Sequence, residues 1–172
     1  SQFDYCGKAV VERVLAEVLV KADDFNYQEM ADTLNAMAKF DHYDKAVFER
    51  LLSEVLVKAG NFNTQDIANT LTAMAKFDHH DKAVFERLLS EVLVKADDFN
   101  SQEIANTLNA MAKFDHYDKA GFERLLSEVL VKAGNFNTQD IANTLNAMAT
   151  FDHHDKAVFE RLMLEGLVKA GD

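Results

Sequence analysis

One 37-residue pattern recurs four times in this chain of 172 residues, and it restricts the fold more than any other feature. Phe25-Asn26-Tyr27-Gln28-Glu29-Met30-Ala31 returns as Phe62-Asn63-Thr64-Gln65-Asp66-Ile67-Ala68, then again from Phe99 and from Phe136. The stretch from Phe3 to Ala22 matches Phe40 to Ala59 at the same offset, so the chain begins inside a repeat. Junctions alternate between Asp-Asp (Asp23-Asp24, Asp97-Asp98) and Gly-Asn (Gly60-Asn61, Gly134-Asn135), which overlays a weaker period of 74 and indicates recent duplication. A unit this short cannot bury its own apolar faces, whereas stacked copies bury them against one another. The expected architecture is therefore all-α, a single α-solenoid over residues 1–172. Its repeats are 1–22 (second helix only), 23–59, 60–96, 97–133 and 134–172.

Each repeat reads as two helices. The first opens at the Asn of Phe-Asn-x-Gln-(Asp/Glu), where the amide accepts from the backbone three residues on and the acid at that position returns a bond to the cap. This pattern is present at Asn26, Asn63, Asn100 and Asn137. Ile67, Ala68, Leu71, Met74 and Ala75 then form one apolar stripe at 3.6 residues per turn. The second helix starts near Asp78 or Asp81, with a stripe of Val84, Phe85, Leu88, Leu89, Val92 and Leu93. Lys95 falls in the last turn, where a cation suits the helix dipole, and the Gly or Asp of the junction stands where the helix must stop. No proline interrupts any of this, and no segment alternates apolar and polar residues as a strand does.

The ends depart from the pattern. Gly7 stands in the place of the Asp44 cap, and Leu164 stands where Ser127 does in the repeat before. A closing helix is expected to be more polar than its siblings, so the array reads as a piece of a longer chain, or as one whose end meets a partner.

Eighteen basic against 29 acidic side chains leave a formal net charge of −11, a field that repels phosphate backbones overall and suits basic partner surfaces. Cys6 is the only cysteine; without an intrachain disulfide, a reducing compartment and a free structural thiol are the simplest reading. No apolar run approaches the ~18–20 residues of a membrane span, so no membrane partner is expected. No targeting peptide is read at the start of the chain.

The face of the first helix opposite its stripe carries the candidate binding residues. Asn69, Thr72, Ala73 and Lys76 share it, spaced by three, four and seven. The corresponding residues are Asp32, Asn35 and Lys39 in the first full repeat, Asn106, Asn109 and Lys113 in the third, and Asn143, Asn146 and Thr150 in the fourth. If first helices line the concave side, these make a ladder of amides and hydroxyls beside a row of lysines. An amide carries donor and acceptor together, which suits the base edges of a single strand, and lysine suits phosphate. The alternative is a plain solvated face, although Asn has poor propensity in mid-helix.

Other conspicuous residues read as structural. His79-His80 and His153-His154 alternate with His42-Tyr43 and His116-Tyr117. Adjacent side chains point too far apart to share one ion readily, so a helix-start or inter-repeat contact is expected rather than a metal. A histidine there also offers a pH response. Phe40, Phe77, Phe114 and Phe151, with Phe48, Phe85, Phe122 and Phe159, are expected in the core. Catalysis needs unlike groups converging at one place, and a tandem array spreads like groups along a line. The expectation is no catalytic residue, no metal, no cofactor and no enzyme.

The stretch Gln65-Asp66-Ile67-Ala68-Asn69-Thr70-Leu71-Thr72-Ala73-Met74-Ala75-Lys76 resembles the first helix of octatricopeptide-like repeats, including the 37-residue heptatricopeptide variety, and the likeness runs through all four repeats. That resemblance implies an organellar RNA-binding solenoid, mitochondrial or chloroplast, in transcript maturation, stability or translation. By position it implies the outward row named above as the contact set. Two partners remain open: single-stranded RNA bound by part of a longer array, or a protein with a basic surface for which the chain is a scaffold in a larger assembly.

Overall fold

The computed structural model describes residues 2–171, with side chains from residue 7 onward. Helix α1 (Gln2–Lys21) is followed by four helix pairs: α2 (Tyr27–Lys39) and α3 (Lys45–Lys58), α4 (Thr64–Lys76) and α5 (Lys82–Lys95), α6 (Ser101–Lys113) and α7 (Lys119–Lys132), α8 (Thr138–Thr150) and α9 (Lys156–Ala170). A one-turn 3-10 segment joins each second helix to the next first helix, as at Ala59–Asn61. First helices stack on first helices and second on second, which is an α-solenoid, and no strand occurs among the described residues.

Local chemistry sets the helix bounds. All four first helices open with a complete capping box; in α4, Asn63 Oδ1 accepts from Asp66 N–H at 2.8 Å and Asp66 Oδ2 accepts from Asn63 N–H at 3.0 Å. Such a cap is worth about 1 kcal/mol against Ala. Of the two aspartates that were candidates to start the second helix, Asp81 does so, accepting from Val84 N–H at 3.1 Å. Asp44, Asp118 and Asp155 do the same in the other repeats.

Asp78 has a different part. It sits at φ 52 in the left-handed region, as do Asp41, Asp115 and Asp152. Around it, His79 N–H donates to Met74 O at 2.9 Å and Asp78 N–H to Ala75 O at 3.2 Å. This is the Schellman closure of a helix, with aspartate in the position glycine usually takes. The junction glycines, in contrast, have no positive φ; the chain leaves the second helix through the 3-10 turn. Left-handed backbone costs an L-residue roughly 1–2 kcal/mol, somewhat less for Asp, against glycine's greater entropy loss. Exposed Asp78 makes no side-chain hydrogen bond among the described residues, so Asp78→Gly is expected to raise stability by about 0.5–1 kcal/mol, read as a higher urea midpoint. A lower midpoint would mean that the aspartate side chain itself holds the turn.

The core runs unbroken along the stack. Phe48, Phe85 and Phe122 are fully buried in the second helices, and each contributes roughly 1.5–3 kcal/mol by leaving water. The first helices pack through small residues, Ala68, Thr70, Ala73 and Ala75, all buried. Small side chains let their backbones approach, so neighbouring first helices run closer together than neighbouring second helices. A stack with one layer more closely spaced bends toward that layer, which places the first helices on the inner, concave side.

Three sequence expectations are corrected by this packing. Ala73, expected on the outer face of its helix, is completely buried, because first helices on both sides cover what a single-helix wheel leaves open. Leu93, expected in the stripe of α5, is 40% exposed. The phenylalanine ladder is not uniformly core: Phe77, Phe114 and Phe151 are half-buried, while Phe40 and Phe159 are 69% and 51% exposed. Phe77 packs on Tyr43 and Phe48 of the preceding repeat, with ring centroids 5.0 and 5.5 Å away. Phe40 has Val11 where Phe48 would stand.

The histidines join repeats. Tyr43 Oη lies 2.7 Å from His79 Nδ1, and Tyr117 Oη 2.8 Å from His153 Nδ1. At the middle junction His80 faces His116 with ring centroids 5.7 Å apart, and burial, helped by the neighbouring His80, holds His116 below the usual histidine pKa. No group of three or more His, Cys, Asp or Glu side chains that could hold a metal occurs among the described residues. The side chain of Cys6 lies outside them.

A second tie joins repeats at the ends of the second helices. Lys95 Nζ donates to Phe62 O at 2.6 Å and Gly60 O at 3.1 Å, both in the junction one repeat earlier. It also pairs with Glu91 at 2.9 Å, which accepts in turn from Arg87 at 2.6 Å. Arg50–Glu54–Lys58 and Arg124–Glu128–Lys132 repeat the arrangement. The helix dipole alone had accounted for these lysines in the sequence. The structure makes them staples between repeats.

Candidate nucleic-acid interface

Burial on three sides leaves α4 and α6 a single accessible line each, while α2 and α8, with a first helix on one flank only, expose somewhat more. In α4 this line is Gln65, Asn69, Thr72 and Lys76, and in α6 it is Gln102, Asn106, Asn109 and Lys113; apart from residues of the first turn, the rest of both helices is buried. In α2 the line is Gln28, Asp32, Asn35 and Lys39, joined by half-buried Ala36 and Thr33, and in α8 it is Gln139, Asn143, Asn146 and Thr150, joined by Ala142 and Ala149. The structure therefore brings the candidate residues into four parallel rungs on the concave side. It adds one glutamine per rung that the sequence reading passed over. The signal was present: each glutamine lies four residues before the Asn or Asp, one turn earlier on the same face.

The rungs differ in how free their polar groups are. Gln28 Nε2 donates to Asp32 Oδ1 and Gln139 Nε2 to Asn143 Oδ1, each at 3.0 Å, so those side chains already satisfy one another in part. Thr150 Oγ1 donates to Asn146 O at 2.9 Å. Thr72 Oγ1 is buried with no hydrogen-bond partner, a state that costs about 1–3 kcal/mol unless something supplies the missing bond. Asn35 and Asn109 are half-buried at the equivalent position and Asn146 is exposed there.

The lysines also divide. Lys39 and Lys113 are exposed and have no ion-pair partner among the described residues. Lys76 Nζ donates to Ala38 O at the end of α2 and stands 4.0 Å from Asp41 Oδ1, so it closes the neighbouring helix as well as facing solvent.

The acidic groups lie mostly elsewhere. Along the rungs there is one acid, Asp32, against three lysines. The capping-box acids Glu29, Asp66, Glu103 and Asp140 are held by backbone N–H groups, and burial raises the pKa of Asp66. The exposed acids are concentrated on the second helices (Glu49, Glu86, Glu123, Glu160), at the junctions (Asp23, Asp24, Asp97, Asp98), and in the turns at the lysine end of the rungs (Asp41, Asp78, Asp115, Asp152). The net charge of −11 thus conceals a mildly cationic inner strip inside a rim of acidic turns and junctions, while each of α3, α5, α7 and α9 carries three basic side chains against two acidic ones.

Stacked helical hairpins with one polar accessible line per repeat are the build of an α-solenoid binding module. A sequence model of the RNA-editing substrate-binding complex 6 protein family matches residues 9–156, and the chain belongs to that family. No curated protein matches it. No helix among the described residues is long and apolar enough to cross a membrane.

Proposed function

We propose that this chain is a non-catalytic RNA-binding module of an RNA-editing assembly, and that a single strand runs across the first helices along the concave strip. In this reading Asn35, Asn69, Thr72, Asn106, Asn109, Asn143 and Asn146 face the bases. Lys39, Lys76 and Lys113 meet phosphates, and Asp32 and Thr150 close the two ends of the row. The missed glutamines, Gln28, Gln65, Gln102 and Gln139, extend each rung by one turn. The carrying observation is the distribution of charge: the solvent-open rungs of the inner helices carry amides, hydroxyls and three lysines with a single acid, Asp32, while the exposed aspartates gather in the turns and the Asp-Asp junctions around them. Family membership supports the RNA side of the reading. The resemblance of the first helices to octatricopeptide-like repeats is the support for single-stranded RNA and an organellar home, mitochondrion or chloroplast.

Binding of a fluorescent pool of short single-stranded RNAs, titrated from about 20 to 200 mM salt, tests it. Saturable binding whose logarithm falls linearly with log salt, by about 0.7 for each phosphate neutralised, is the expected result. No binding at the lowest salt would overturn it and leave the chain as a protein scaffold.

A further inference from the structure

The three junctions between full repeats share their apolar packing and differ in one polar contact. At each, the phenylalanine after a first helix packs edge-on against a phenylalanine of the second helix one repeat earlier. These pairs are Phe77 on Phe48, Phe114 on Phe85 and Phe151 on Phe122, with ring centroids 5.4–5.5 Å apart. Beside them, the first and third junctions carry a tyrosine bonded to a histidine, Tyr43 to His79 at 2.7 Å and Tyr117 to His153 at 2.8 Å. The central junction carries His80 and His116 in the same two places. Their ring centroids are 5.7 Å apart, and no hydrogen bond joins the two imidazoles among the described residues. His80 stacks on Phe114 and His116 on Phe85, each at 4.8 Å.

The two kinds of contact answer acid differently. Protonation of His79 or His153 leaves its bond to tyrosine possible, because a phenol oxygen can accept from Nδ1–H as well as donate to Nδ1. Two imidazoles tolerate one proton between them. A second proton places like charges about 6 Å apart, which lowers an equilibrium about threefold even at the dielectric of water. The charges around the pair do not cancel this. Burial, the largest influence, holds the His116 pKa below the usual value; His80 and Lys82 act in the same direction, and Glu86 and Asp118 oppose them. Asp81 and Asp118 accept from backbone N–H groups of α5 and α7, at 3.1 and 3.4 Å, and Asp78 and Asp115 stand exposed in the two turns. No lysine ties this end of the junction either. Lys76 reaches Ala38 O across the first junction, whereas its counterpart Lys113 makes no such bond among the described residues. The polar tie between α4 and α6 is Thr64 Oγ1 donating to Glu103 Oε1 at 3.0 Å, at the opposite end of the helices.

We propose that the contact between repeats 60–96 and 97–133 is an acid-sensitive joint: protonation of the His80–His116 pair loosens α4–α5 from α6–α7, while the junctions closed by Tyr43–His79 and Tyr117–His153 hold. The joint divides the concave strip between the rungs of α2 and α4 and those of α6 and α8, so loosening it frees one half of the strip to turn against the other. The histidines act on the joint whatever the strip binds. A histidine with a depressed folded-state pKa binds fewer protons folded than unfolded. Its contribution is complete above the unfolded value of about 6.5, falls as pH drops through that value, and levels off below the folded one.

Urea unfolding of the whole chain, followed by circular dichroism at about pH 7.5 and about pH 5.5, tests the joint. On acidification the folding equilibrium constant is expected to fall at least about threefold, and the transition to broaden as the two halves uncouple. His80→Tyr, which copies the first and third junctions, is expected to remove most of that fall. Tyr43→His, which copies the central pair into the first junction, is expected to add a second fall of similar size. The same fold already holds each replacement residue at the equivalent position, so both variants are expected to fold. By nuclear magnetic resonance, the titration of the His116 ring is expected to move to higher pH in His80→Tyr. An equal acid loss in the unaltered chain and in His80→Tyr would overturn the proposal, as would a His116 titration that His80→Tyr leaves unmoved. So would an acid loss confined to the range below about pH 4.5, which belongs to glutamates.

Discussion

Replacing Lys39 and Lys113 together by Glu is expected to weaken single-stranded RNA binding about a hundredfold at moderate salt. Each substitution removes one attraction to phosphate and introduces one repulsion. Near a protein surface such terms amount to about 1–2 kcal/mol per site, and a hundredfold corresponds to ~2.7 kcal/mol over the two. The salt slope is expected to fall by about 1.4, from two contacts at roughly 0.7 each. The pair is chosen over a triple that includes Lys76 because Lys76 also donates to Ala38 O, so its loss would mix stability with binding. Lys39 and Lys113 are exposed without ion-pair partners among the described residues, and the helical spectrum should not change. Unaltered affinity and slope in the double variant would remove the lysines from the interface and the concave strip with them.

The second large effect is structural. Lys95→Met is expected to cost about 2–3 kcal/mol, whereas Lys82→Met on the same helix should cost less than ~0.5 kcal/mol. The two lysines differ in surroundings, not in charge. Lys82 and Glu86 stand 3.8 Å apart with side chains 76% and 55% exposed, and such pairs are worth little in water. Lys95 and Glu91 are 23% and 14% exposed at 2.9 Å. Removing Lys95 also strands the carbonyls of Gly60 and Phe62. Leaving poorly solvated groups unpaired is what makes the loss large. The site joins neighbouring repeats, so urea unfolding is expected to lose cooperativity as well as midpoint. A variant as stable as Lys82→Met would show that the staple contributes nothing.

The same network sets an acid limit. A hydrogen bond from Arg50, opposed by burial and reinforced by Lys58, holds Glu54 below the ordinary glutamate pKa; Arg124 and Lys132 do the same for Glu128. A carboxylate with a lowered folded-state pKa contributes in full above its unfolded value, and that contribution is lost as pH falls through the folded value. Stability should therefore hold at neutral pH and decline below the usual glutamate range, and Glu128→Gln should flatten that decline.

Capping boxes, apolar stripes and the 37-residue register depend on residues within a turn or two of one another. For that reason the helix starts at Asn26, Asn63, Asn100 and Asn137 and the buried stripe of α4 are legible in the sequence. So is most of the accessible line, because exposure on an amphipathic helix follows its period, and Gln65 could have been read by the same rule. The number of covered sides is another matter. A wheel drawn for one helix opposes a single core face to water, but α4 and α6 also have a first helix on both flanks, and so Ala73 and Thr70 of α4 are buried. The Lys95 bonds to a junction 33 and 35 residues away, the Tyr43–His79 contact and the outward turn of Leu93 arise from the displacement between successive repeats. That displacement depends on how closely the small residues of the first helices let their backbones pack. The sequence by itself determined the helices, their order and the repeating core, because those are settled by local bonding and period. Only the tertiary structure decided which side is concave, where the charge is segregated and which lysines are free to meet a ligand, because each depends on the distance between helices that are neighbours in space and far apart along the chain.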